Sequence, residues 1–173
     1  MSKKQLQQYL EIAQIVNTHG VRGDLKLIYW CDSCDTIKKL KTLYFDPNGC
    51  KPIQISNVRP YGKFVLLRAS GINTPEEGAK YKEQILYANR DDIKLNDGDF
   101  FIVDLIGTPV IDAEDPTLIY GTLSNVIDNP ANSLYEIKTK SGSVLIPAVN
   151  EFIIRLDPPN GIYIRPIDRK SVV

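Results

Sequence analysis

Short runs of β-branched and aromatic residues, cut at near-regular intervals by Gly, Pro, Asn and Asp, fill almost all of this 173-residue chain and restrict it to β structure. Over residues 1–90, strands are predicted at 9–16, 25–29, 42–45, 53–58, 64–69 and 84–88. Asn17-Thr18-His19-Gly20-Val21-Arg22-Gly23-Asp24, Asp46-Pro47-Asn48-Gly49 and Pro60-Tyr61-Gly62-Lys63 supply the turns between them. Six strands at that spacing suit a small barrel. One segment departs from it: Thr74-Pro75-Glu76-Glu77-Gly78-Ala79-Lys80-Tyr81-Lys82 predicts a helix that plugs or flanks a barrel end. Thr74 serves there as its cap, Pro75 as its first helical residue and Glu77 as the partner in a capping box. A second helix is possible over 35–41.

The strand pattern stops around residues 91–98, where charge and turn formers gather, and resumes at 109–112, 119–128, 134–138, 144–146, 153–157 and 161–165. The expected organisation is a first domain over 1–90, a linker over 91–98 and a second domain over 99–173. The fold class is all-β with one or two short helices, built as two small β-barrels. Phe100 and Phe101 stand side by side where the second domain begins. In an extended segment they point to opposite faces, so one anchors the core while the other faces out as a contact surface.

After its lysines the amino terminus, Met1-Ser2-Lys3-Lys4-Gln5-Leu6-Gln7-Gln8, lacks the apolar stretch of a signal peptide. Apolar runs elsewhere fall far short of the ~20 residues of a membrane span. Three cysteines, an odd number, do not make a secreted disulfide framework. Together these predict a cytoplasmic protein without a membrane partner. The 21 basic and 21 acidic residues cancel, but unevenly. Up to Leu95 there are 15 Lys and Arg against 10 Asp and Glu, and beyond it 6 against 11, so the halves carry +5 and −5. Such a split suggests a polyanion as partner of the front half and a basic partner for the back half.

Few residues carry catalytic signals. Trp30-Cys31-Asp32-Ser33-Cys34 resembles the redox turn of thioredoxins, yet a chain made mainly of strands lacks the alternating helices of that fold. A zinc site would have to combine Cys31, Cys34, Cys50 and the single His19 at unusual spacing. A Ser-His-Asp triad would depend on the same histidine with no nucleophile elbow nearby, and no phosphate-binding or dinucleotide loop is present. No metal, cofactor or catalytic residue is predicted, and the chain reads as a binder rather than an enzyme. For RNA, the glycine-hinged turn offers Thr18, His19, Gly20, Arg22 and Gly23, with Lys26 in the strand beyond and Lys38, Lys39 and Lys41 further on.

In order along the chain, three segments resemble the RimM family of ribosome maturation factors. Ile15 to Leu27 is similar to the family's opening strand-turn-strand. Thr74-Pro75-Glu76-Glu77-Gly78-Ala79 through Ile85-Leu86-Tyr87 is similar to its helix and last barrel strand. Asp99-Phe100-Phe101-Ile102-Val103-Asp104-Leu105-Ile106-Gly107, followed by Leu145-Ile146-Pro147-Ala148-Val149 and Phe152-Ile153, is similar to its PRC-barrel. The resemblance implies a six-stranded barrel of the translation-factor type followed by a PRC-barrel, in a monomeric, non-catalytic assembly factor. It also implies binding to free small ribosomal subunits, maturation of the subunit head and its rRNA, and binding to the small-subunit ribosomal protein numbered nineteen. Phe100, Phe101, Asp104, Leu105 and Gly107 become the expected protein or subunit contacts. Phenylalanine stands at 100 and 101 where the family often has tyrosine, Ala13 where a glycine is common, and Cys31-Asp32-Ser33-Cys34 where it has polar turn residues. The tail from Arg165 to Lys170 lacks the family's glycine-containing ending. Two other functions compatible with parts of the sequence are a thiol-disulfide oxidoreductase using Cys31 and Cys34, and a PRC-barrel adaptor unrelated to ribosomes.

Overall fold

A computed structural model of the chain describes residues 6–31, 33–158 and 160–165. Residues 1–5, Asp32 of the CxxC motif, Pro159 of the last predicted turn and the tail from Pro166 lie outside the described residues. Residues 7–94 form one compact unit, and the described residues between Leu95 and Arg165 belong to another.

In the first unit, β1 (Tyr9–His19), β2 (Asp24–Tyr29), β3 (Thr42–Tyr44), β4 (Pro52–Tyr61), β5 (Phe64–Ala69) and β6 (Ile85–Asn89) close into a barrel in the order β1-β2-β5-β4-β3-β6. Closure removes the exposed edges that a small open sheet would present. Alternate residues point inward, so Leu25 and Leu27 of β2 and Val65 and Leu67 of β5 join Ile15 and Leu86 in one fully buried core. The strand β4 is longer than its sequence pattern suggests. It runs through Pro60 and Tyr61 to a two-residue turn, and Tyr61 pairs with Phe64.

Helix α1 (Cys34–Lys39) packs Ile37 into this core, and α2 (Pro75–Ala79) is the predicted capped helix. Thr74 accepts the Glu77 N–H through its hydroxyl oxygen at 3.2 Å. The Glu77 carboxylate reaches one residue past the cap and accepts the Asn73 N–H at 2.7 Å, so two orphan donors are satisfied, although not in the reciprocal box expected. Asp91 and Asp92, placed in the linker by sequence, form a 3-10 turn over Arg90–Asp92 that is tied to the first unit. The Arg90 N–H donates to the Gln8 carbonyl, and the Gln8 side chain donates to Asp91.

The second unit is a six-stranded sheet built from β7 (Pro109–Asp112), β8 (Ile119–Ile127), β9 (Leu134–Lys138), β10 (Ser143–Pro147), β11 (Ile153–Asp157) and β12 (Gly161–Ile164). Its order is β10-β9-β8-β7-β12-β11, with only β7 and β12 parallel among the described pairings, and no ladder joins β10 to β11 among the described residues. Its own core gathers Val110, Leu123, Ile137, Ile162 and Ile164. Asp112, buried beside this core, accepts the Glu114 and Asp115 N–H groups at one oxygen and the Tyr120 hydroxyl at the other.

The segment before β7 departs from expectation. Ile102–Leu105 is a single helical turn, α3, with Phe101 as its cap residue, instead of an extended run. Gly107, at φ +80, supplies the left-handed conformation that ends the turn. Its N–H donates to the Leu123 carbonyl at 2.7 Å and fixes the entry into the sheet.

Candidate functional site

Two surfaces carry the residues singled out by sequence, one on each unit. On the first, the strand register decides which side chains reach solvent. Cross-strand partners share a face, so the pairs Thr18↔Leu25 and His19↔Asp24 place Thr18 toward the barrel interior and His19 outside. A Cβ built on Gly78 of α2 would lie 2.6 Å from the Thr18 methyl and 3.2 Å from Leu25, which makes Thr18 part of the seat on which α2 closes the barrel. Gly23 belongs to the same seat. At φ +67 it is buried, and a Cβ there would come within 2.3 Å of the Thr74 carbonyl oxygen. Thr18 and Gly23, both named as candidate RNA contacts from sequence, are therefore packing residues. Gly20 and Arg22 are exposed in the loop.

Outward positions of β2, β5 and β4 build a different surface. Asp24 is buried and holds two arginines that are distant in sequence. Arg68 donates Nε at 2.7 Å and Nη2 at 2.6 Å to one Asp24 oxygen, and Arg59 donates Nη2 to the other at 3.1 Å. Arg68 is one-third exposed and Arg59 more than half, so both side chains reach water. Next along β2, the Lys26 ammonium sits 4.1 Å from the centre of the Phe64 ring and 5.8 Å from that of Tyr61. Lys63 approaches Phe64 at 5.4 Å, and His19 tilts against Tyr61 at 4.7 Å between ring centres.

Leu66 lies at the middle of this face, in register with Lys26 on one side and Arg59 on the other. It is only 2% exposed yet belongs to neither core cluster, so the surrounding side chains cover it. The four cations Lys26, Arg59, Lys63 and Arg68, set beside the single carboxylate of Asp24, leave the face positive. Two of the predicted residues, His19 and Lys26, belong to it. The sequence reading missed Asp24, Arg59, Tyr61, Phe64 and Arg68, although outward alternation in β2, β4 and β5 would have grouped them.

The second surface surrounds α3. An open groove of about 290 Å³ is rimmed by Phe100 and Ile102, which are 38% and 50% exposed, and is lined from the core side by Leu105 and Tyr135. Burial pushes the Tyr135 phenol up from its ordinary pKa, which keeps it protonated. Phe101 is half-buried and caps α3, so neither phenylalanine is the core anchor that alternation predicted. Leu105 takes that role, and Asp104 is buried beside it with its carbonyl accepting the Thr108 hydroxyl at 3.1 Å. Of the five expected contact residues, Phe100 and Phe101 reach the surface, Gly107 shapes the backbone, Leu105 lines the groove from within, and Asp104 is buried.

Cys31 and Cys34 do not stand in a thioredoxin-like fold. Cys31 and Cys34 are half-buried against the first barrel core, and the Cys31 thiol donates to the Ser33 carbonyl at 3.3 Å. The helix that follows has six residues and stands in an antiparallel barrel rather than an α/β sheet. Among the described residues, no three metal-ligating side chains gather, and His19 is engaged with Tyr61. No helix among them is long and apolar enough to cross a membrane.

Comparison with known proteins bears on both units. Residues 10–93 match the family model of the RimM N-terminal domain, and residues 102–164 match that of the RimM PRC barrel domain. A ribosome maturation factor RimM of Clostridium botulinum is 34% identical over 165 residues, covering 94% of this chain and 97% of its own length. One of Acetivibrio thermocellus is 36% identical over 151 residues, covering 84% and 86%. Among solved structures, the chain is similar to a 16S ribosomal RNA processing protein RimM of Pseudomonas aeruginosa. The identity is 19% and the TM-score 0.45, over 90% of this chain and 96% of that one.

Proposed function

The chain belongs to the RimM family of ribosome maturation factors, and from that premise we propose that it acts in the cytoplasm as a monomeric, non-catalytic assembly factor. It binds free small ribosomal subunits, assists maturation of the subunit head and processing of its rRNA, and binds the small-subunit ribosomal protein numbered nineteen. The observation that carries this reading is the pairing, in one chain, of a barrel with a basic, aromatic exterior and an acidic unit with an apolar groove. The first suits the phosphates of rRNA, and the second suits a basic ribosomal protein that can place an apolar side chain between Phe100 and Ile102.

Binding acts by population shift: a factor with higher affinity for one arrangement of the head increases its occupancy without making or breaking a covalent bond. With phenylalanine at both positions 100 and 101, these two residues contribute packing and ring contacts and no phenolic hydroxyl.

Co-sedimentation of the purified protein with free small subunits at low salt tests the reading. Association is expected with free small subunits, and failure to migrate with them would refute it. A second measurement addresses the groove. Phe100→Ala combined with Ile102→Ala is expected to weaken subunit association while circular dichroism and the melting profile stay unchanged. Undiminished co-sedimentation of that folded variant would remove the groove from the interface.

A further inference from the structure

We propose that the exterior of β2, β5 and β4 is where this protein takes an unpaired segment of RNA, and that Asp24, a carboxylate, is the positioning residue for that contact. The inference rests on the assembly-factor reading and assigns the RNA to particular side chains of the first unit.

Arg59 is the phosphate ligand. Its guanidinium offers five N–H donors in a planar fork, only one of which is directed to Asp24, and more than half of the side chain is exposed. Arg68 is held more tightly, with two donors on the same carboxylate, and reinforces the positive field from behind. Asp24 fixes both forks in place before any ligand arrives. A free arginine must give up rotamer freedom on binding, whereas one already oriented loses less. The aromatic half of the face supplies the second contact. Tyr61 keeps 46% of its surface exposed although His19 and Lys26 pack on it, which leaves ring surface for a base. Lys26, held over Phe64, places a cation between the rings and the arginines.

Phosphate-directed arginine beside an exposed ring is the combination that distinguishes unpaired nucleic acid, with both backbone charge and open base faces, from a duplex whose bases are stacked on one another. An acidic protein would use the cations and leave the rings idle.

The full-length protein can be titrated with a fluorescein-labelled oligouridylate of about 12 nucleotides, within the span that single-strand-binding barrels cover, and with the same strand annealed to oligoadenylate. The unpaired strand should bind more tightly than the duplex. Arg59→Ala should weaken its binding roughly tenfold and make the dependence of log affinity on log salt shallower by about 0.7. Tyr61→Ala should weaken it by roughly five- to hundredfold and leave the salt slope unchanged.

Asp24→Asn gives the decisive sign. It removes one negative charge, so simple electrostatic attraction to RNA predicts tighter binding, whereas loss of positioning predicts weaker binding. Equal or tighter binding by a folded Asp24→Asn protein overturns the positioning role. If that variant fails to fold, the exposed Arg59→Ala and Tyr61→Ala variants still decide the surface, and wild-type affinity in both overturns it. Preference for poly-glutamate over the oligouridylate would likewise overturn it and point to an acidic protein. Running the same variants in the subunit co-sedimentation assay keeps the two readings separate. Retained sedimentation with unchanged RNA affinity refutes only this surface, while loss of sedimentation by the wild type refutes the assembly role.

Discussion

The first unit is a closed barrel in which charged and aromatic side chains on the outer face of β2, β4 and β5 hold one another, whereas the second is a six-stranded sheet with an apolar groove rimmed by Phe100 and Ile102. Closure explains the contrast. Once six strands satisfy each other around a ring, the inward strand positions provide the core together with residues such as Ile37 of α1, and the outward positions are available for polar recognition. A sheet with two ends has to cover or use its remaining apolar surface, and around α3 that surface is shaped into a groove. The two units also have separate hydrophobic cores, which makes each one's stability a local property.

The largest expected effect follows from how α2 seals the barrel. Gly23→Ala places a side chain at positive φ and a Cβ against a backbone carbonyl, and neither strain can be relieved by a rotamer change. The cost should be roughly 2–5 kcal/mol from the left-handed backbone and overpacking together. It should appear in thermal unfolding of the first unit and spare the second. Tyr120→Phe is the counterpart in the second unit. It removes a hydroxyl that donates to a buried carboxylate, at a cost of about 1.5–3 kcal/mol. If each substitution shifts one and the same transition, the units are not independent and the contrast drawn between them fails.

Much of the fold was legible in the sequence because its signals are local. β5, β9 and β11 follow directly from β-rich runs bounded by turn formers, and α2 from Thr74, Pro75 and Glu77. α3 was hidden for a physical reason. Phe100-Phe101-Ile102-Val103 has the β-branched and aromatic composition of a strand, and the helical turn is imposed by the burial of Leu105 and by the bond from Gly107 to Leu123, both tertiary effects. The basic, aromatic face of the first unit was only half visible. A glycine-hinged loop attracts attention as a unit, whereas Asp24, Arg59 and Arg68 come from three strands and lie 35 and 44 positions apart. Only the barrel register brings them together.

The smallest effect concerns acid, and it sets a tethered turn of the first barrel against a simple surface ion pair. Asp46, between β3 and β4, would have its pKa raised by desolvation, but the N–H groups of Cys50, Asn48 and Lys51 donate to it and their combined pull holds it below its ordinary value of 3.8. A carboxyl lowered on folding stabilises the native state fully above its unfolded pKa, and that contribution disappears as pH falls through the folded value. The window therefore lies below about pH 4. Asp35 is also lowered, first by its hydrogen bond from Lys38 and then by that residue's charge, so it titrates in the same direction. Salt separates the two. The Asp35–Lys38 pair is exposed and largely screened at high ionic strength, while hydrogen bonds from a fixed turn backbone are not. In high salt, the first-unit melting temperature of Asp46→Asn should fall less steeply below pH 4 than that of the wild type, and Asp35→Asn should track the wild type. Parallel curves for Asp46→Asn and wild type would show that the turn does not hold the carboxylate in its charged form.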